Sequence, residues 1–185
     1  MVSDQLIKKI RKRDNAAFKK AYEQSIRYVY SIVGRYVKND SDHADIIQEV
    51  YARVFLSIKS YDSKKGKFKY WLRRIAINQC FEHYRKGKPE ISIVSLEGVR
   101  PIDNSLEQRL SQLSVNEIEQ YISGMPEGYK QVFMLIVLED FTHKEVGELM
   151  GISPEASRSQ LSRAKNWLRK NVFNRNDQGR YAVGL

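Results

Sequence analysis

Residues 142–170, THKEVGELMGISPEASRSQLSRAKNWLRK, leave the chain little freedom, because they spell two helices with an enforced stop between them. Thr142 followed three residues later by Glu145 is a capping box, so a helix starts there, with Val146 and Leu149 on its buried side. Gly151 breaks it. Ser153 then offers a hydroxyl cap, and Pro154 takes the first position of the next helix, where a missing N–H does no harm. Ala156, Leu161, Ala164 and Leu168 supply the apolar stripe of that second helix. The spacing is that of a helix-turn-helix, whose second helix enters the major groove of DNA through its N-terminal half. Arg158, Ser159, Ser162 and Arg163 lie off the stripe in that half, and arginine can pair bidentately with guanine. Two amphipathic helices joined through a glycine also occur in ordinary helical bundles, so the rest of the chain has to decide.

The rest of the chain is helical too. Ten glycines and four prolines in 185 residues are too few for a β-rich fold, and the apolar positions recur at helical spacing almost throughout. The expected fold class is all-α, as two small helical domains joined by a flexible linker, the C-terminal one containing the helix-turn-helix. Helices are expected from near Ser3, from near Asp14, within Ser25 to Lys38, from Ser41, and from about Phe68 to Lys86, with a loop at Asp62 to Lys67. The stretch GKPEISIVSLEGVRPIDNS has no periodicity and reads as linker; helices resume after Asn104, and Met125-Pro126-Glu127 opens another, with Val132, Phe133, Leu135 and Ile136 apolar. The expected boundaries are a first domain over 1–88, an acidic linker and connecting helix over 89–123, a helix-turn-helix domain over 124–172 and a flexible tail over 173–185.

Charge follows the same division. Residues 1–88 hold 21 basic and 9 acidic side chains (net +12), 89–124 hold 2 and 6 (net −4), and 125–185 hold 9 and 7 (net +2). A strongly basic front, an acidic middle and a mildly basic back suit two nucleic-acid-contacting modules joined by a segment that avoids phosphate, although a basic run can also be a solvated face. Nothing approaches the roughly 20 apolar residues of a membrane span, and no secretory signal opens the chain. A single cysteine, Cys80, excludes an intrachain disulfide, fits a reducing cytoplasm, and in a helical run reads as packed rather than reactive.

Two further constellations carry chemistry. In the helix from Ser41, Ala44, Ile47, Tyr51, Val54 and Ile58 form a buried stripe, which puts Asp45, Gln48 and Glu49 on roughly the opposite side. An acidic, amide-bearing patch inside a basic domain is poorly placed for DNA and points to a protein partner carrying positive charge, although an ordinary solvated face has the same pattern. A metal site built from Asp45, Glu49 and His43 is disfavoured, because His43 falls on a different face. The run FKYWLRRIAINQCFEHYRK places Trp71, Arg74, Asn78 and Arg85 on one face, an aromatic, an amide and two guanidinium groups that suit unstacked bases, the alternative being that Trp71 and Tyr70 are simply core. Just before it, Tyr61 with Lys64, Lys65 and Lys67 could line a loop that captures an extruded base.

HADIIQEVYARVF, FKYWLRRIAINQCFEHYRK and MPEGYKQVFMLIVLEDFTHKEVGELMGISPEASRSQLSRAKNWLRK together resemble the successive signature regions of bacterial RNA polymerase sigma factors of the extracytoplasmic-function (ECF) group, over about residues 5 to 172. The resemblance implies a cytoplasmic protein that is not itself an enzyme, needs no cofactor or metal, takes no small-molecule substrate and does not insert in a membrane. It implies binding to core RNA polymerase through the β′ clamp helices and β flap, recognition of the -10 and -35 elements of promoter DNA, and promoter melting. Asp45, Gln48 and Glu49 match the family's core-binding D-x-x-Q-E. Tyr61, Lys64, Lys65, Lys67, Trp71, Arg74, Asn78 and Arg85 fall in the region that engages the opened -10 element. Arg158, Ser159, Ser162 and Arg163 match the -35 reading surface. An anti-sigma factor is a further partner that the family admits.

The chain departs from the family pattern at the start of the recognition helix, where Glu155-Ala156-Ser157 stands in place of the common Gly-Thr-Val, and at Gln160, often a basic residue. Glu155 is expected to repel phosphate. Two rivals differ in kind: a stand-alone helix-turn-helix regulator, which would be a homodimer on palindromic sites, and a helical nuclease using Asp45 and Glu49 with a divalent ion.

Overall fold

Short polar side chains set where the N-terminal helices begin. Ser3 accepts a hydrogen bond from the Leu6 N–H (3.4 Å) to open α1, Asp4–Arg11, and Asp14 accepts one from Ala17 (2.9 Å) to open α2, Asn15–Tyr36. Helix α2 is one unbroken element of 22 residues, so the separate helix expected within Ser25 to Lys38 does not exist. The reason is tertiary packing. Ser25 is buried mid-helix, its hydroxyl donating to the Ala21 carbonyl (2.6 Å) and paired with the Tyr51 hydroxyl (2.8 Å), so it caps nothing. Asn39, not Ser41, caps the next segment, a 3-10 turn over Asp40–Asp42 that runs into α3, His43–Ser57. A second 3-10 turn, Ile58–Ser60, ends that arm, and α4 follows as Phe68–Gly87.

The structure is a computed structural model and describes residues 2–87 and 114–177, which fall into two units dividing between Pro89 and Glu90. Most of the expected linker lies outside the described residues. Among those that are described the secondary structure is helical, without strands, and no helix is long and apolar enough to cross a membrane.

Three helices make the first core. Val29, Ile32 and Val33 of α2, Ile46, Val50 and Val54 of α3, and Leu72, Ala76, Ile77 and Cys80 of α4 are at most 3% exposed. Truncating such a side chain to alanine costs about 2–5 kcal/mol for Leu or Ile, because transfer and cavity terms add. Burial also pushes the Cys80 thiol up to about 12, which leaves it protonated and inert at neutral pH. Helix α1 closes the bundle with cations on orphan carbonyls. Arg11 donates to the Tyr61 carbonyl, while Arg13 donates to the Phe55 carbonyl (2.9 Å) with its guanidinium 4.3 Å from the Phe55 ring centre.

The C-terminal unit opens with a capping box between Ser114 and Glu117 at α5, Val115–Ser123. Next come α6, Glu127–Phe133, a π-helical turn over Met134–Leu138, α7, His143–Met150, and α8, Pro154–Asp177. Tyr121 packs with Met125, Phe133, Ala164, Leu168 and Val172, so α5 belongs to this unit's core rather than to a free connector. Helix α8 continues to Asp177, which places residues 173–177 of the expected flexible tail in a helix.

Candidate functional site

Three exposed surfaces carry the side chains singled out in the sequence. On α3 the buried set is His43, Ile46, Ile47, Val50, Tyr51 and Val54, continued by Ile58. This rotation puts Asp45, Gln48 and Glu49 at the surface, and Ala44 with them, so Ala44 is not part of the buried stripe. Asp45 sits in the first turn, where the helix dipole favours a carboxylate. Leu56, 66% exposed, extends the same face toward the C-terminal end of α3. Beside it lies a groove of ≈ 670 Å³ between the first half of α2 and α3, floored by Phe18, Tyr22, Tyr51 and Phe55 and rimmed by Gln48. Every residue lining the groove is uncharged, and burial raises the Tyr51 hydroxyl to about 12, so its floor and rim are neutral. His43 points the other way, 4% exposed, with Nε2 2.9 Å from the Val37 carbonyl oxygen.

The second surface runs along α4. Arg74, Asn78 and Arg85 are exposed, and Trp71 is half-buried with its ring centre 5.5 Å from both Tyr61 and Phe68. One edge of the indole is therefore core and the other is open. Tyr61 corrects the sequence reading. It is only 5% exposed, its hydroxyl donates to the Gly66 carbonyl (3.0 Å), and Arg11 holds its own carbonyl, so it anchors the loop instead of meeting a base. Asp62 tightens the same loop by accepting from the Lys64 N–H (3.0 Å). Lys64, Lys65 and Lys67 are left exposed around it. Tyr70, which the sequence offers only as a candidate core residue, is 56% exposed on the face shared by Lys67 and Arg74. Its three-residue step from Lys67 and four-residue step to Arg74 were the available signal.

The third surface is the helix-turn-helix. Thr142 and Glu145 form the reciprocal capping box at α7, and Gly151 ends that helix at φ 69°, a left-handed conformation that suits glycine. The tightness of the turn rests on a different glycine. A Cβ on Gly147 would stand 2.7 Å from the Ile152 carbonyl oxygen, so only glycine lets the turn fold back over α7. Ser153 caps α8 by accepting from the Ala156 N–H (3.0 Å). Ser157, fully buried, is paired with His143 Nδ1 at 2.9 Å, and this bond fixes the rotation of α8 against α7. The buried stripe of α8 accordingly starts at Ser157 and Gln160 instead of Ala156, which is only half-buried. Arg158 is exposed, with Ser159, Ser162 and Arg163 half-buried beside it. Gln160 faces α6, its Oε1 3.5 Å from where a Gly128 Cβ would stand, and so is not part of the outward surface.

A sigma-70 region 2 family model matches residues 21–90, and a sigma-70 region 4 model matches residues 115–168. Two curated relatives align over nearly their whole length. The ECF RNA polymerase sigma factor SigW of Bacillus subtilis (strain 168) is 28% identical over 187 residues, covering 93% of this chain and 97% of the relative. SigM of the same strain is 29% identical over 155 residues, covering 83% and 93%. This chain is a sigma-70 family sigma factor of the ECF group. Within the sigma factor, the region 2 match takes in α3 and α4 whole, and the region 4 match begins with the first residue of α5. All three exposed surfaces fall inside the two matched segments.

Two outcomes follow for the region 4 unit of this sigma factor. Gly147→Ala should lower stability by about 1–3 kcal/mol through overpacking, measured by urea unfolding of the full chain. His143 is held below its ordinary value of 6.5, first by burial and then by Arg158 and Lys165. The unfolded chain therefore takes up this proton before the folded one, and stability falls as the pH drops below 6.5 until the folded imidazole titrates. Between pH 7.5 and 5.5, thermal unfolding of wild type should shift down further than that of His143→Asn.

Proposed function

We propose that the three surfaces divide the work of transcription initiation among themselves. Asp45, Gln48 and Glu49 contact core RNA polymerase; the outer face of α4, with Lys64, Lys65, Lys67, Trp71, Arg74, Asn78 and Arg85, takes the opened -10 strand; Arg158, Ser159, Ser162 and Arg163 read the -35 element. The observation that carries this reading is the solvent-facing acidic triplet on a helix of a strongly basic domain. Its neighbours on the chain attract phosphate, whereas the triplet and the neutral groove beside it suit a basic, partly apolar protein surface. An anti-sigma protein would act by covering the same face.

Binding, not bond chemistry, supplies the activity, in the cytoplasm where polymerase and promoter meet. Duplex recognition by α8 sets position, and trapping bases against Trp71 and Asn78 offsets unstacking. Each half is weak alone. Joined through polymerase they act at high effective concentration, so promoter affinity belongs to the holoenzyme.

In run-off transcription with purified core polymerase, Asp45→Arg/Glu49→Arg should keep wild-type helicity while losing core binding and all promoter-specific transcript. A folded double mutant that transcribes normally would sink the assignment of this face. Trp71→Ala should retain core binding but lose about 1–3 kcal/mol of open-complex stability on duplex promoters, with most of the loss restored on a promoter already opened at -10, read by permanganate footprinting.

A further inference from the structure

Glu155 stands in the first turn of α8, one turn before Arg158, and the two are exposed on the same face. A carboxylate facing a groove walled by phosphates is repulsive unless it is occupied. Here it is occupied. Arg158 Nη1 donates to Glu155 Oε1 at 2.9 Å, although both side chains are well exposed, at 59% for Arg158 and 76% for Glu155. The carboxylate is also held by the Glu155 N–H, with Ser153 adding a weaker bond, and these contacts together with Arg158 keep it ionised below the ordinary carboxylate range.

Resting on the -35 reading proposed above, we propose that Glu155 is a specificity-determining residue: it clamps one edge of the Arg158 guanidinium so that the other edge is presented as a fixed fork to a guanine. Arginine offers five N–H groups in one plane, and a bond at Nη1 leaves the remaining edge to reach guanine O6 and N7. A side chain ordered before docking loses less freedom on binding, and the ordering is spent on one base geometry. The pair has no net charge, so it adds little general attraction to DNA. Its effect is discrimination, by penalising sequences that leave the clamped fork unmatched. An exposed i,i+3 pair contributes little to helix stability, and the first-turn place of Glu155 suits the helix dipole with or without Arg158, so only base selection separates the clamp from a cap.

The test uses holoenzyme, core polymerase plus the full chain, selecting from duplexes that carry a fixed -10 element and a randomised hexamer at -35. Wild type should enrich guanine at one position by roughly 5- to 150-fold, and Arg158→Ala should abolish that enrichment. Glu155→Ala should lower that enrichment by roughly 1.5- to 5-fold while raising binding to non-selected sequences, with Glu155→Gln intermediate. Equal guanine enrichment by wild type and Glu155→Ala would overturn the clamp and leave the -35 reading intact. Loss of a cytosine preference in Glu155→Ala with guanine retained would also overturn it, since the carboxylate would then be reading a base itself. No selection by wild type anywhere in the hexamer would overturn the -35 reading and the clamp together.

Discussion

Fixing the rotation of a helix about its own axis decides which of its side chains any partner can meet. In the N-terminal unit that rotation is set by mostly branched aliphatic side chains buried between α2, α3 and α4. Ile46, Val50 and Val54 cannot leave the core without opening a cavity, so α3 has one stable orientation. Asp45, Gln48 and Glu49 are outward because those three are inward. The same argument places Arg74 and Asn78 of α4, whose neighbours Leu72, Ala76 and Ile77 are buried. The outward placing of these polar residues is thus set by apolar packing.

The C-terminal unit solves the same problem with polar and backbone devices. Its helices α7 and α8 are joined by a turn too short for a long apolar seam, and three features hold the angle between them. Gly147 permits the close approach of the Ile152 carbonyl, Gly151 supplies the left-handed residue, and the His143–Ser157 bond pins α8. A buried serine paired with a titratable imidazole makes this unit sensitive to pH. The apolar support comes from farther along α8, where Ala164, Leu168 and Val172 meet Tyr121 and Phe133.

Where sequence and structure part, the commonest cause is a contact between residues distant in the chain. Tyr61 sits in a lysine-rich loop and has the chemistry to stack on a base, yet Arg11, fifty residues earlier, and Phe68 draw it inside. Ser25 has the chemistry of a helix cap, yet Tyr51 on α3 takes its hydroxyl. Gln160 matches a position where relatives of this kind often carry a base, and α6 covers it. Ala44 is too small to betray its face by pattern alone. Glu155 is a different case, a carboxylate at the start of α8 that the chain shows as a liability for DNA binding and that the structure shows bonded to Arg158 one turn on.

The amino-acid sequence by itself determined the helical class, the capping box at Thr142, the stop at Gly151, the start at Pro154 and the acidic triplet opposite a buried stripe. All of these depend on residues within about a turn or two of one another, where side-chain spacing and local hydrogen bonds dominate. The tertiary structure alone decided that α2 is continuous, that α5 joins the C-terminal core, that Tyr61 is an anchor and Tyr70 is open, and that Gly147 carries the tight turn. Those outcomes depend on which distant surfaces meet, and periodicity along the chain reports that a face is buried without reporting what buries it.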